Sequence, residues 1–291
     1  MAKQVISSSD SGSVAAGKIN DNFSELYNGG VASAIDYDVN FRSVAHRGLM
    51  SVAPENTIPA YRAARAAGFR YAETDVAFTS DGVPVLLHDA TINRTSNGTG
   101  NLASLTFAQV RQYDFGSWFS SDFAGTQIPS FEEFLVFCKH VGLHPYIEMK
   151  NDTTYTQAQI ESLVDMVEAA GMKGKVTWIS FNATYLGYVK NYDSYARLGF
   201  LLFDSITDAN ITTANGLKTE HNEVFLDTRG YSSAVANKAK SAHISIETWQ
   251  PAATTGDWTI SNLLSLDPYF TGITTNAIIG GKLLYDYEMG T

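Results

Sequence analysis

A chain of 291 residues with 44% hydrophobic content can bury one large core, and its 30 acidic against 20 basic residues leave a net charge of −10. That charge repels nucleic acid and anionic membrane, and with no Lys/Arg run to offset it neither is an expected partner. No apolar core of signal-peptide type follows Met1, no run of about 18 apolar residues is long enough to span a membrane, and the single cysteine, Cys138, excludes an internal disulfide.

Residues 1–40 are rich in Ser, Gly, Asn and Ala and carry one weak amphipathic stretch, Ile19, Phe23 and Leu26 with Tyr27 beside them. A helix under roughly 12 to 15 residues is marginal alone in water, so this segment is expected to be an attachment or oligomerisation arm. From Phe41 onward short apolar runs alternate with helical patterns, the order that builds a parallel sheet from βαβ units. Eight strands are predicted: Ser43 to His46, Tyr71 to Asp75, His144 to Glu148, Val176 to Ser180, Leu198 to Leu202, Glu223 to Asp227, Ile244 to Trp249 and Tyr269 to Ile273. Eight is the number that closes an α/β TIM barrel, so residues 41–291 are expected to form one (β/α)8 domain behind the short N-terminal arm. Capping boxes open helices at Thr106 to Gln109, Ser130 to Glu133 and Thr156 to Gln159, and Gly68 and Gly171 are helix stops. Cys138, in line with Phe131, Phe134 and Leu135 at helical spacing, is expected in the core.

One stretch breaks the alternation. Val76 to Phe78 and Val83 to Leu87 flank Ser80-Asp81-Gly82, a strong hairpin signal, and a turn centred between Asp81 and Gly82 sets Asp75 opposite His88. Barrel strands all end on one rim, where Glu73 and Asp75, two apart and on one face, would meet Glu148. Three crowded carboxylates raise one another's pKa, and one divalent cation with oxygen preference, Ca²⁺ or Mg²⁺, resolves the repulsion; ordinary ion pairing at strand ends is the alternative. His46 and His88 would flank that ligand, one neutral to take a proton and one protonated to give one, as phosphodiester cleavage requires. Arg47 and Lys150 could hold a phosphate or pair with the acids. Asn56-Thr57 with Pro59 reads as a helix N-terminus, where an anion contact and simple capping are both open, and Trp249 lines the pocket or fills core. His140, His144, His221 and His243 read as structural.

His46-Arg47-Gly48, Pro54-Glu55-Asn56-Thr57, Glu73-Thr74-Asp75-Val76, Asp81-Gly82, His88-Asp89, Arg94-Thr95, Gly98, Gly100, Ile128-Pro129-Ser130 and Glu148-Met149-Lys150 together resemble the glycerophosphodiester phosphodiesterase family, over roughly Val44 to Asn276. The resemblance implies a TIM barrel with a small insertion after the hairpin, at about residues 90–128. It implies a divalent metal on Glu73, Asp75 and Glu148, an acid/base pair of His46 and His88, and substrate contacts from Arg47 and Lys150, to which Asn56 and Trp249 are added as candidates. The implied reaction releases glycerol phosphate and an alcohol: a neighbouring glycerol hydroxyl attacks phosphorus, and water opens the cyclic phosphate. Two departures touch substrate contacts: Thr271-Gly272-Ile273-Thr274-Thr275-Asn276-Ala277-Ile278 lacks two acids and a proline usual there, and Trp249-Gln250 replaces Trp-Thr.

Gly17 to Tyr27 resembles the N-terminal segment of phage tail and tail-fibre proteins. That implies a virion location, and otherwise the cytoplasm. It also implies assembly through residues 1–40 with tail components or as a homotrimer, and a teichoic-acid-like or capsular glycerol-phosphate polymer as substrate. Two other expectations stand beside it: a catalytically decayed virion receptor-binding or structural protein, and an enzyme of the sphingomyelinase D or phosphatidylinositol phospholipase type, which also pairs histidines at a barrel rim.

Overall fold

The computed structural model describes residues 42–276, apart from 151–152, 204, 220, 223, 230–231, 250–265 and 267–268. The predicted arm, Glu223, Gln250 and Ala277-Ile278 lie outside the described residues. Nine strands are formed: β1 (Arg42–Ala45), β2 (Tyr71–Phe78), β3 (Pro84–Leu86), β4 (His144–Met149), β5 (Thr177–Ser180), β6 (Arg197–Leu202), β7 (Val224–Thr228), β8 (Ser245–Thr248) and β9 (Phe270–Thr275). Their order, β1-β9-β8-β7-β6-β5-β4-β2-β3 with a further β1–β2 pairing, closes eight parallel strands into a barrel and leaves β3 antiparallel on β2. The eight predicted barrel strands are the eight that close.

The helices among the described residues carry the sequence signals in place. Three of them are α1 (Ile58–Ala66), α2 (Phe107–Val110) and α3 (Phe131–Val141). The others are α4 (Gln157–Ala169), α5 (Ala183–Tyr192), α6 (Asp208–Leu217) and α7 (Ser233–Ser241). The boxes at Thr106, Ser130 and Thr156 each form in both directions, satisfying first-turn amides that have no partner within the helix. In α3, Phe131, Phe134, Leu135 and Cys138 form the buried stripe, Glu132 and Glu133 lie at the positive end of the helix dipole, and Lys139 and His140 lie at the negative end. Gly68 and Gly171 follow α1 and α4 with φ of 96° and 68°, the left-handed conformation that ends a helix cheaply only at glycine. Cys138 is fully buried, and burial pushes its thiol up, away from nucleophilic use.

Alternation along the strands divides the apolar residues between two sides of the wall. Outward residues pack under the helices, while Val44, Tyr146, Ile179, Leu201 and Phe225 cluster inside the barrel. The lower lumen also holds charge that sequence reading did not anticipate. Arg197 donates to Glu247 Oε1 at 2.7 Å and to the Tyr146 hydroxyl at 2.9 Å, its guanidinium lies 4.2 Å from the Phe225 ring centre, and Arg42 approaches Glu247 at 3.5 Å.

The hairpin forms, with its register one residue from expectation. Pairs Val76 with Leu86 and Phe78 with Pro84 place Leu87, not His88, opposite Asp75, and the Leu87 amide donates to the Asp75 carbonyl at 3.1 Å. His88 falls just past the end of β3, so the pleat no longer dictates its direction, and its Nδ1 meets Asp89. Beyond it, Ile92, Leu102, Val110, Phe115 and Ile128 join Ala77, Val85 and Leu87 in a separate small core. Among the described residues, no helix is long and apolar enough to cross a membrane.

Candidate active site

The turn after β1 is built for close approach. Arg47 and Gly48 both take positive φ (53° and 77°), and a Cβ on Gly48 would come within 2.7 Å of Ala60, so only glycine lets this turn settle on α1. The turn delivers His46 to the rim and aims the Arg47 amide at Glu73 Oε2, at 2.8 Å. Parallel pairing of β2 with β4, Asp75 beside Glu148, then brings the third acid alongside.

Glu73, Asp75 and Glu148 each offer one carboxylate oxygen, and these oxygens lie within 4.8 Å of one another. All three residues are buried, at 3%, 0% and 8% exposure; Glu73 Oε1, Asp75 Oδ1 and Glu148 Oε1 accept no hydrogen bond, the last two meeting only the Lys150 ammonium at 3.5 and 3.4 Å. Buried carboxylate oxygens without donors are costly, and an all-oxygen set of this kind suits a hard divalent cation. Burial and the neighbouring acids push Glu73 and Glu148 up. Burial works to raise Asp75 too, but Arg47, Lys150, His88 and the Asn56 amide outweigh it and hold Asp75 below the usual carboxylate range.

Around the acids stand the cations and imidazoles. Arg47 lies 3.3 Å from Asp75 Oδ2 and donates to Glu55 Oε1 at 2.9 Å; Lys150 Nζ lies 3.5 Å from Asp75 and 3.4 Å from Glu148. His46 Nε2 is 3.9 Å from Glu73 Oε2, while its Nδ1 meets Asn276 Oδ1 at 2.6 Å. Burial, then Arg47, lower His46 to about 4, so the ring is neutral at ordinary pH. His88 Nδ1 meets Asp89 Oδ1 at 2.7 Å.

Two further candidates have partners of their own. Asn56, a candidate substrate contact, is 3% exposed: its amide donates to Asp75 Oδ2 at 2.8 Å and its oxygen accepts from Tyr61 and Thr74. It orients a carboxylate, because its own positive φ (54°) turns the side chain inward. Trp249, just past the end of β8, meets Phe181 and Phe203 edge-on and donates its Nε1–H to the Leu202 carbonyl at 3.1 Å. Sequence reading gave no positive role to Asn276, Glu55 or Asp89. Asn276 was within reach of argument, since closing the barrel pairs Ala45 with Thr275 and so sets the residue after the last strand beside His46.

The sequence profile of the glycerophosphoryl diester phosphodiesterase family matches residues 46–249. The human glycerophosphodiester phosphodiesterase 1 is 41% identical over 110 residues, covering 37% of this chain and 33% of the human protein. The glycerophosphodiester phosphodiesterase of Caldanaerobacter subterraneus subsp. tengcongensis is 32% identical over 158 residues, covering 54% and 65%. The chain thus spans between a third and two thirds of the length of these curated relatives. An Oleispira antarctica phosphodiesterase solved with its product sn-glycerol-3-phosphate shares the fold, with a TM-score of 0.70 at 21% identity over 86% of this chain and 98% of that one. With a match running from His46 after the first strand to Trp249 after β8, and over two thirds of its residues, this chain belongs to the glycerophosphoryl diester phosphodiesterase family.

Proposed function

We propose that the chain hydrolyses glycerophosphodiesters to glycerol phosphate and an alcohol, using one divalent cation, Ca²⁺ or Mg²⁺, on Glu73, Asp75 and Glu148. The observation that carries this reading is the gathering of Glu73, Asp75 and Glu148, each offering a carboxylate oxygen within 4.8 Å of the others and each keeping a buried oxygen that accepts no hydrogen bond, beside two imidazoles whose Nδ1 atoms are both engaged. When bound, the cation supplies charge to the phosphate oxygens, where negative charge builds during transfer.

The histidines divide the proton work by their partners. His46 donates a hydrogen bond from Nδ1–H to the Asn276 oxygen, which leaves the Nε2 lone pair toward the site, and burial keeps the ring neutral; it is the base that accepts the proton of the attacking glycerol hydroxyl. His88 has an anionic partner, Asp89, and is the acid that protonates the departing alcohol. The roles exchange when water opens the cyclic phosphate. Arg47 and Lys150 hold the non-bridging oxygens.

The natural substrate we infer is a teichoic-acid-like or capsular glycerol-phosphate polymer, met by a tail-borne enzyme that assembles through residues 1–40. The likeness of Gly17 to Tyr27 to phage tail segments supports this setting.

Purified protein should release glycerol phosphate from a glycerophosphodiester, lose that activity to a chelator, and lose it as Glu73→Ala or His46→Ala with unchanged circular dichroism. Full activity in excess chelator defeats the metal assignment. A screen of wall and capsule polymers for new phosphomonoesters tests the setting, and cleavage of small diesters alone would reject it.

A further inference from the structure

The insertion reaches the catalytic rim through Arg94. Its Nη1 and Nη2 donate to Glu55 Oε2 and Oε1 at 2.7 and 2.9 Å, and its Nε and Nη2 to Asp89 Oδ2 and Oδ1 at 2.7 and 3.0 Å. Each of those carboxylates has a second guest: Glu55 also receives Arg47, and Asp89 also receives His88. A planar guanidinium can engage two carboxylates at once in this way, whereas an ammonium presents a point charge with no fork.

The loop that presents Arg94 is itself fixed. Ile92 is fully buried, its amide donates to the Gly100 carbonyl at 3.0 Å, and its carbonyl accepts from the Ser96 hydroxyl at 2.6 Å. Asp89, by contrast, has a side chain 29% exposed, so its direction depends on its partners. Glu55, at 5% exposure, needs its charge met; with Arg94 gone it would draw harder on Arg47, the guanidinium the phosphate needs.

We propose that Arg94 is a positioning residue serving both halves of the site, aiming His88 through Asp89 and freeing Arg47 through Glu55, a role that rests on the diester hydrolysis proposed above. The insertion is then part of the catalytic apparatus, and its docking is read out at two separate kinetic constants.

The test compares Arg94→Ala, Arg94→Lys and Asp89→Asn with wild type on two diesters, one with an alkyl alcohol and one with p-nitrophenol, whose departure needs little protonation. Arg94→Ala should lose ~30-fold or more in kcat on the alkyl diester and under ~3-fold on the nitrophenyl diester, within the span of one positioned acid, while KM rises several-fold on both. Arg94→Lys should recover only part of the loss. Calcium binding by calorimetry should be unchanged. Side-chain ¹⁵N spectra of His88 should shift alike in Arg94→Ala and Asp89→Asn. If Arg94→Ala does not fold because Glu55 is stranded, the Arg94→Ala/Glu55→Gln pair removes the stranded charge and should show the same His88 shift and the same kcat loss. Wild-type kcat on the alkyl diester with an unmoved His88 spectrum, in a folded Arg94 variant, overturns the proposal. If wild type turns over no diester, the hydrolase reading fails, and the His88 spectrum alone decides whether Arg94 aims that ring.

Discussion

Replacing Glu73 with Gln should stabilise the metal-free protein while abolishing its response to cation. The candidate ligand oxygens lie within 4.8 Å of one another; two unit charges at that distance repel by about 3.5 kcal/mol at an effective dielectric near 20. Glu73 faces two such neighbours, and Arg47 offsets roughly one of them. Because the site can relieve itself by keeping a proton, about 1–3 kcal/mol is the expected gain, or about 2–6 °C in Tm for a domain of this size. Gln keeps the acceptor for the Arg47 amide, so that hydrogen bond survives. The pH dependence has a definite sign. The folded carboxyl holds its proton more tightly than the unfolded chain does, so wild type loses stability as pH rises through and above the ordinary carboxylate range, and the variant does not. The gap should be near nil at about pH 4 and widen steadily as pH rises above the ordinary carboxylate range. Saturating Ca²⁺ should reverse the order, since a ligand at about 1,000 times its Kd adds about 4.1 kcal/mol to wild type alone. Scanning calorimetry across pH, with and without Ca²⁺, reads all of this. A metal-free variant less stable than wild type at pH 8, or one that Ca²⁺ stabilises equally, refutes the crowded-carboxylate account.

His46→Ala and His88→Ala should each lower kcat by about 10²–10⁴ and leave calcium affinity within a few-fold, and the double variant should lose much less than the product of the two; steady-state kinetics with titration calorimetry checks both parts. Asn276→Leu removes the acceptor on His46 Nδ1 and should cost about 10-fold or more in kcat with KM little changed, a loss absent if the ring is held by packing alone. Cation affinity should rise with pH and binding should release protons, because Glu73 and Glu148, both raised by burial and by their neighbours, must ionise to serve as ligands. Calorimetry in two buffers of different ionisation enthalpy measures the release, and identical heats in both would contradict it.

Much of the scaffold was readable because its signals are local. Eight apolar runs, three capping boxes and the glycines after α1 and α4 each state their own structure. The box that opens α6 escaped notice because Asn210 takes the place usual for Glu or Gln. The hairpin register slipped by one because an index sum fixes pairing only if the turn is two-residue and centred as assumed. The observed pairs place the turn around Asp81 alone, with Thr79 bonded to Val83 across it. The site was legible where a carboxylate or imidazole stands at a strand end. What stayed hidden was the layer behind it. Asn56 turned inward by its positive φ, Asp89 braced by Arg94, and the Arg197–Glu247 pair inside the barrel depend on contacts across distant segments that no local pattern encodes.

The Arg197–Glu247–Tyr146 group below the acids makes the lumen a floor, filled by paired charge and aromatic rings. A polymer therefore cannot be threaded through the molecule. The polymer substrate proposed above would have to drape across the mouth, with one linkage turned downward at a time, and both fragments would leave by the side on which they arrived. For such a substrate the breadth of the opening, where Phe181, Phe203 and Trp249 gather just past the ends of β5, β6 and β8, is the dimension that would sort long chains from short ones.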